Sequence, residues 1–107
     1  NNDVGLNLSA VLDGFTITGG NANYISTETT NRGGGIFNKN SSPYLKNLIV
    51  TNNYGMDGGG LYNLGSSPSI ENCSFETNQA NFGGGVFNNE SSFPFVTNCS
   101  FLNNQAN

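Results

Sequence analysis

Histidine is absent from this 107-residue chain, and only three residues are basic against seven acidic. With no His and the two cysteines, Cys73 and Cys99, far apart in sequence, no Cys/His metal set can be assembled from neighbouring residues. Three Lys plus Arg and a formal charge of −4 leave no electrostatic footing for a phosphate backbone, so nucleic acid is not an expected partner. No apolar run approaches the length of a bilayer span, so no membrane insertion by this segment is expected. No charged-then-apolar leader opens the chain either, and an initiator Met is missing. The expectation is therefore mature material or a piece of a longer solenoid. Disorder is disfavoured as well: Asn and Gly make up about a third of the residues, yet charge is low and twelve aromatics are present.

The order in this composition is a repeat. GGGIFNKNSSPYLKNLIV begins at Gly33, GGGLYNLGSSPSIENCSF at Gly58 and GGGVFNNESSFPFVTNCSF at Gly83, a period of 25 residues. Aligned on one aliphatic position, Leu12, Leu45, Ile70 and Val96 form a column. Phe15, Leu48, Cys73 and Cys99 form the next, Ile17, Val50, Phe75 and Phe101 a third, and Ile36, Leu61 and Val86 a fourth. Each coil thus offers three short apolar strands separated by turn residues, too short for helices.

The turn columns point to bends. Gly14, Asn47, Asn72 and Asn98 share one position, and Gly20, Asn53, Asn78 and Asn104 share another. Gly and Asn have in common a tolerance of the left-handed backbone region, so both columns predict residues with φ > 0. Short strands alternating with such bends predict an all-β, right-handed parallel β-helix of about four coils. It would rise by about 4.8 Å per coil, with Asn/Gly ladders satisfying the bent backbone. Asp13, Lys46, Glu71 and Thr97 form an outward column in which opposite charges face each other, as that stacking requires.

Two departures from the period locate insertions. Leu12 and Leu45 are separated by eight residues more than the period, which predicts a looped-out insertion at 23–30 with Glu28 as its one acid. Phe93, before Pro94, reads as a single added residue.

The pairing of GGGI-type elements with a later FxxN resembles the repeats of the chlamydial polymorphic outer-membrane proteins and related bacterial surface β-helix proteins. Here these elements stand as GGGIFN, GGGLYN and GGGVFN, then FETN from Phe75 and FLNN from Phe101; the second coil departs with VTNN from Val50. The resemblance spans nearly the whole chain and implies an extracellular or bacterial cell-surface location, as a stalk or an adhesin. The same pectate-lyase-like solenoid also carries polysaccharide lyases and hydrolases, so fold alone does not assign the task.

Residues able to do chemistry are sparse. Glycosidic hydrolysis needs two carboxyls at a defined gap, yet Asp3, Asp13, Asp57, Glu71, Glu76 and Glu90 fall in different columns, which leaves no catalytic residue to name. No stretch gathers oxygen ligands as a calcium loop would, so no metal and no cofactor are expected. Cys73 and Cys99 should stack on adjacent parallel strands, a geometry that favours two buried thiols over a bridge. Asn72 and Asn98 head Asn-x-Ser sequences, but their place at an inward bend argues against glycosylation; Asn40 and Asn89, in turns, suit it better. An ice-binding file is not supported, because the outward column Thr18, Thr51, Glu76, Leu102 is mixed.

One feature suits a ligand. If Ile36 and Asn38 point inward, Phe37, Tyr62 and Phe87 point outward as a short aromatic stripe. Such a stripe could stack on carbohydrate or on a host or cell-surface protein, or its members could simply cover one another between coils. The sequence therefore reads as a non-catalytic structural or adhesive segment. Two alternatives stay open: part of a carbohydrate-active enzyme whose active site lies outside this segment, and a solenoid that stacks end to end into filaments.

Overall fold

A computed structural model describes residues 2–3, 5–22 and 31–107; the expected insertion at 23–30 lies outside the described residues. The first coil contributes β1 (Asn2–Asp3), β2 (Val11–Asp13), β3 (Thr16–Thr18) and β4 (Asn21–Ala22). The second contributes β5 (Ile36–Lys39), β6 (Tyr44–Lys46), β7 (Ile49–Thr51) and β8 (Tyr54–Asp57). The third contributes β9 (Leu61–Leu64), β10 (Ser69–Glu71), β11 (Ser74–Glu76) and β12 (Gln79–Phe82). The fourth contributes β13 (Val86–Asn89), β14 (Phe95–Thr97), β15 (Ser100–Leu102) and β16 (Gln105–Ala106). Each strand pairs in parallel with its counterpart in the next coil, giving four sheets ordered β1-β5-β9-β13, β14-β10-β6-β2, β15-β11-β7-β3 and β16-β12-β8-β4. The described residues are all-β, in stacked parallel sheets consistent with a β-solenoid.

The aligned columns are real files. Leu12, Leu45, Ile70 and Val96 stand in register through one sheet, and Ile17, Val50, Phe75 and Phe101 through the next. Their inner members Leu45, Ile70, Val50 and Phe75 form one continuous core with Leu48, Cys73, Ile36 and Leu61, against which Leu12, Ile17, Val86 and Cys99 pack. In the outward charged file, Lys46 Nζ lies 3.6 Å from Asp13 Oδ2, and Glu71 accepts a hydrogen bond from Tyr44 Oη.

The expected three strands per coil must be corrected to four. The missed strand is that of β4, β8, β12 and β16, whose file facing the interior is Ala22, Gly55, Ala80 and Ala106. Such small side chains leave no apolar signal, and the tube is narrow there for a physical reason. The glycine arc of each coil lies against this strand: a Cβ on Gly59 would sit 2.5 Å from the Gln79 carbonyl oxygen and 2.6 Å from that of Gly84. Backbone meets backbone on both sides, so no side chain can yield.

The first bend is as expected, with positive φ at Gly14, Asn47, Asn72 and Asn98. The second is displaced by one residue. The left-handed positions are Gly19, Asn52, Thr77 and Asn103, not Gly20, Asn53, Asn78 and Asn104. Thr77, at φ 54°, is the β-branched member of that file, and a β-branched side chain is poorly tolerated in this region. Thr77→Asn is therefore expected to stabilise the fold by about 1 kcal/mol, seen as an upward shift of the urea midpoint with unchanged m-value.

The added residue of the last coil also moves. Ser66 N–H donates to Ser92 Oγ and Phe93 N–H donates to Ser67 Oγ, so Phe93 occupies the place of Ser67. The extra residue lies instead at Glu90–Ser91, both with positive φ where the third coil has Gly65 alone.

Candidate functional site

The asparagines have three distinct placements. Asn53, Asn78 and Asn104 point into the tube. The Gly20, Asn53 and Asn78 N–H groups each donate to the Oδ1 of the next file member, at 2.9, 3.0 and 3.0 Å. Their Nδ2 groups donate to the carbonyls of Ile17, Val50 and Phe75 one coil back. A second interior file runs from Asn38 to Asn63 to Asn88, with amide contacts of 2.9 Å. Among the described residues, no buried side-chain N or O atom lacks a hydrogen-bond partner.

The third file corrects an expectation. Asn47, Asn72 and Asn98 sit at the first bend but are exposed, not inward. The φ > 0 geometry turns these side chains out of the tube, where Asn98 Nδ2 donates to Asn72 Oδ1 at 2.6 Å and Asn47 Nδ2 donates to Asp13 Oδ1 at 2.8 Å. Asn72 and Asn98 are therefore exposed members of their Asn-x-Ser sequences, not inward residues shielded from modification. Beside them Ser100 Oγ donates to Ser74 Oγ at 3.1 Å, and together these groups line a shallow trough of about 580 Å³ bottomed by Cys73 and Cys99. Its lining side chains carry amides and hydroxyls but no formal charge.

Both cysteines are unbridged, Cys73 buried and Cys99 half-buried. Burial, first of all, pushes the Cys73 thiol above its ordinary pKa, and the neighbouring Cys99 adds to the shift. A thiol held protonated and covered is a poor nucleophile. Under native conditions iodoacetamide should alkylate Cys99 before Cys73, with both modified together once the chain is unfolded; mass spectrometry of timed samples reads the order.

In the sheet of β5, β9 and β13, the aromatic stripe is mostly covered. Phe37 and Tyr62 meet edge to face at 5.5 Å, and Tyr62 and Phe87 stack at 5.3 Å. Arg32 lies 5.2 Å over the Tyr62 ring, and the Tyr62 hydroxyl accepts from Asn89 Nδ2 at 3.0 Å. Tyr62 is 0% exposed, so it offers no ring face to a ligand. The accessible part of the stripe is its half-buried ends, Phe37 and Phe87.

The surface beside Phe87 includes residues that the sequence reading did not single out. Arg32, Asp57 and Phe82 stand in one file at the corner where the fourth strand of a coil meets the glycine arc. Arg32 Nε is 3.4 Å from Asp57 Oδ2, and Phe82, 62% exposed, lies 6.5 Å from Phe87. The signal was available, because these three residues are 25 apart. The corner combines two aromatic rings with a guanidinium–carboxylate pair, a surface suited to stacking and hydrogen bonding but lacking a nucleophile.

The described acids do not converge. Asp13 pairs with Lys46 and Asp57 with Arg32, while Glu76 accepts from Ser74 Oγ within its own strand. No group of three or more His, Cys, Asp or Glu residues is arranged to hold a metal ion among the described residues. The chain matches no protein-family model, and neither a curated protein nor a solved structure is significantly similar to it.

Proposed function

We propose that this chain is part of a right-handed parallel β-helix and serves as a non-catalytic structural or adhesive segment of an extracellular or bacterial cell-surface solenoid. The observation that carries this reading is the continuity of the side-chain files through all four coils, while the carboxylates of Asp13, Asp57, Glu71 and Glu76 are engaged apart from one another. Parallel strands joined by crossovers are right-handed in nearly all proteins, which supports the handedness. The GGGI and FxxN motifs support the surface location by resemblance alone. If the segment adheres, the corner of Phe82, Phe87, Arg32 and Asp57 is the surface best equipped to meet carbohydrate or a cell-surface protein.

A spacer made of equivalent coils should tolerate one more. Duplicating residues 54–78, one full period, should give a folded chain with an unchanged far-ultraviolet spectrum, longer by about 4.8 Å along one axis in small-angle scattering. Failure to fold, or growth without elongation, would contradict the spacer role. Cleavage of a polysaccharide by the purified chain would contradict the non-catalytic reading.

A further inference from the structure

Cys73 and Cys99 belong to one file, and their sulfurs have matching surroundings. Cys73 Sγ lies 3.6 Å from the Leu45 carbonyl oxygen and 3.3 Å from that of Glu71, while Cys99 Sγ lies 3.6 Å from the Ile70 oxygen and 3.3 Å from that of Thr97. Ile70 is the registered neighbour of Leu45, and Thr97 that of Glu71. The two sulfurs are therefore displaced from each other by one coil step, about 4.8 Å. A disulfide needs them at about 2.0 Å, so both side chains would have to leave these positions to form one. Two metal–thiolate bonds of about 2.3 Å placed end to end, by contrast, span about 4.6 Å.

We infer that Cys73 and Cys99 form a two-coordinate site for a soft monovalent d10 cation, Cu(I) or its redox-inert analogue Ag(I), held in line between the two sulfurs. Soft thiolate ligands select such ions, whose filled d shell is satisfied by two donors. Zn(II) and Ca(II) need four or more, and among the described residues no group of three or more His, Cys, Asp or Glu is arranged to supply them.

Binding breaks both S–H bonds and forms two metal–sulfur bonds. One cation and two thiols give a linear dithiolate complex of charge −1, and the two protons leave to solvent. The Cys73 N–H, 3.4 Å from Cys99 Sγ, donates to that centre and offsets part of its charge. The ion's route is lateral: the trough lined by Asn47, Asn72 and Asn98 on three successive coils reaches both sulfurs. No carboxylate lines it, so nothing there competes as a hard ligand.

Native mass spectrometry of the full, reduced chain with Ag(I) tests the stoichiometry, and one ion per chain with the loss of two protons is expected. X-ray absorption of the chain loaded anaerobically with Cu(I) should show two sulfur neighbours and no third ligand. Competition against a chromophoric Cu(I) chelator gives the affinity. Cys73→Ala and Cys99→Ala should each weaken it by roughly 100-fold or more, beyond the loss caused by a merely supporting residue. Circular dichroism checks that both variants keep the fold, and if either does not, the absorption spectrum of the unmodified chain decides by itself. Three-coordinate copper, an ion shared between two chains, or unchanged affinity in a folded single-cysteine variant would each overturn the inference.

Discussion

Replacing Asn78 with alanine is expected to lower the free energy of unfolding by about 3 kcal/mol, because the buried Asn53 N–H loses its acceptor, at roughly 1–3 kcal/mol, and the amide's bond to the Val50 carbonyl, worth about 1 kcal/mol, is lost with it. The Asn78 Oδ1 accepts from the Asn53 N–H at 3.0 Å, and its Nδ2 donates to the Val50 carbonyl at 2.7 Å. Both partners lie inside the tube, where water cannot replace the amide. For a domain whose total stability falls in the ordinary range of about 5–15 kcal/mol, this is a large fraction. Asn81→Ala, in the adjoining strand β12, removes a partly exposed amide and should cost no more than about 0.5 kcal/mol. Urea titrations of the two variants side by side separate the ladder from the mere loss of an asparagine.

Phe75→Ala should cost about as much by a different route. The ring is fully buried, and it stacks on Phe101 at 5.1 Å with the planes 6° apart. Truncation removes buried apolar area and leaves a cavity that the backbone ladders above and below cannot close, a loss of about 3–5 kcal/mol. Phe75→Leu keeps most of the volume and should cost no more than about 1.5 kcal/mol. Equal costs for Ala and Leu would mean that the site does not pack as the structure places it.

What could be read from the sequence follows from side-chain chemistry. Leu45, Ile70 and Val96 are alike because they occupy equivalent places, so their column gave the register directly. The fourth strand escaped because Ala22, Gly55 and Ala80 are small for a steric reason, not an apolar one. The asparagine columns were misread in part because one residue type performs two tasks. Asn72 adopts a left-handed backbone and faces solvent, whereas Asn78 holds buried backbone groups with its amide; column identity alone does not distinguish them. Thr77 further obscured the second bend, since threonine is not a residue expected at positive φ.

The aromatic stripe shows the same limit. Alternation expects Tyr62 to face outward, and it lies outside the apolar core cluster, yet the side chain is fully buried: outward in a strand is not the same as exposed. Arg32, Phe37, Phe87 and Asn89 cover it, and Arg32 is distant from Tyr62 in sequence.

The stacking of residues one period apart is most directly measured by methyl–methyl nuclear Overhauser effects in the purified chain. Leu45 should show cross-peaks to Ile70, and Ile70 to Val96, with none between Leu45 and Val96, which are two coils and roughly 9–10 Å apart. Missing Leu45–Ile70 contacts, or a direct Leu45–Val96 contact, would contradict the stacked files on which the fold and the proposed role depend.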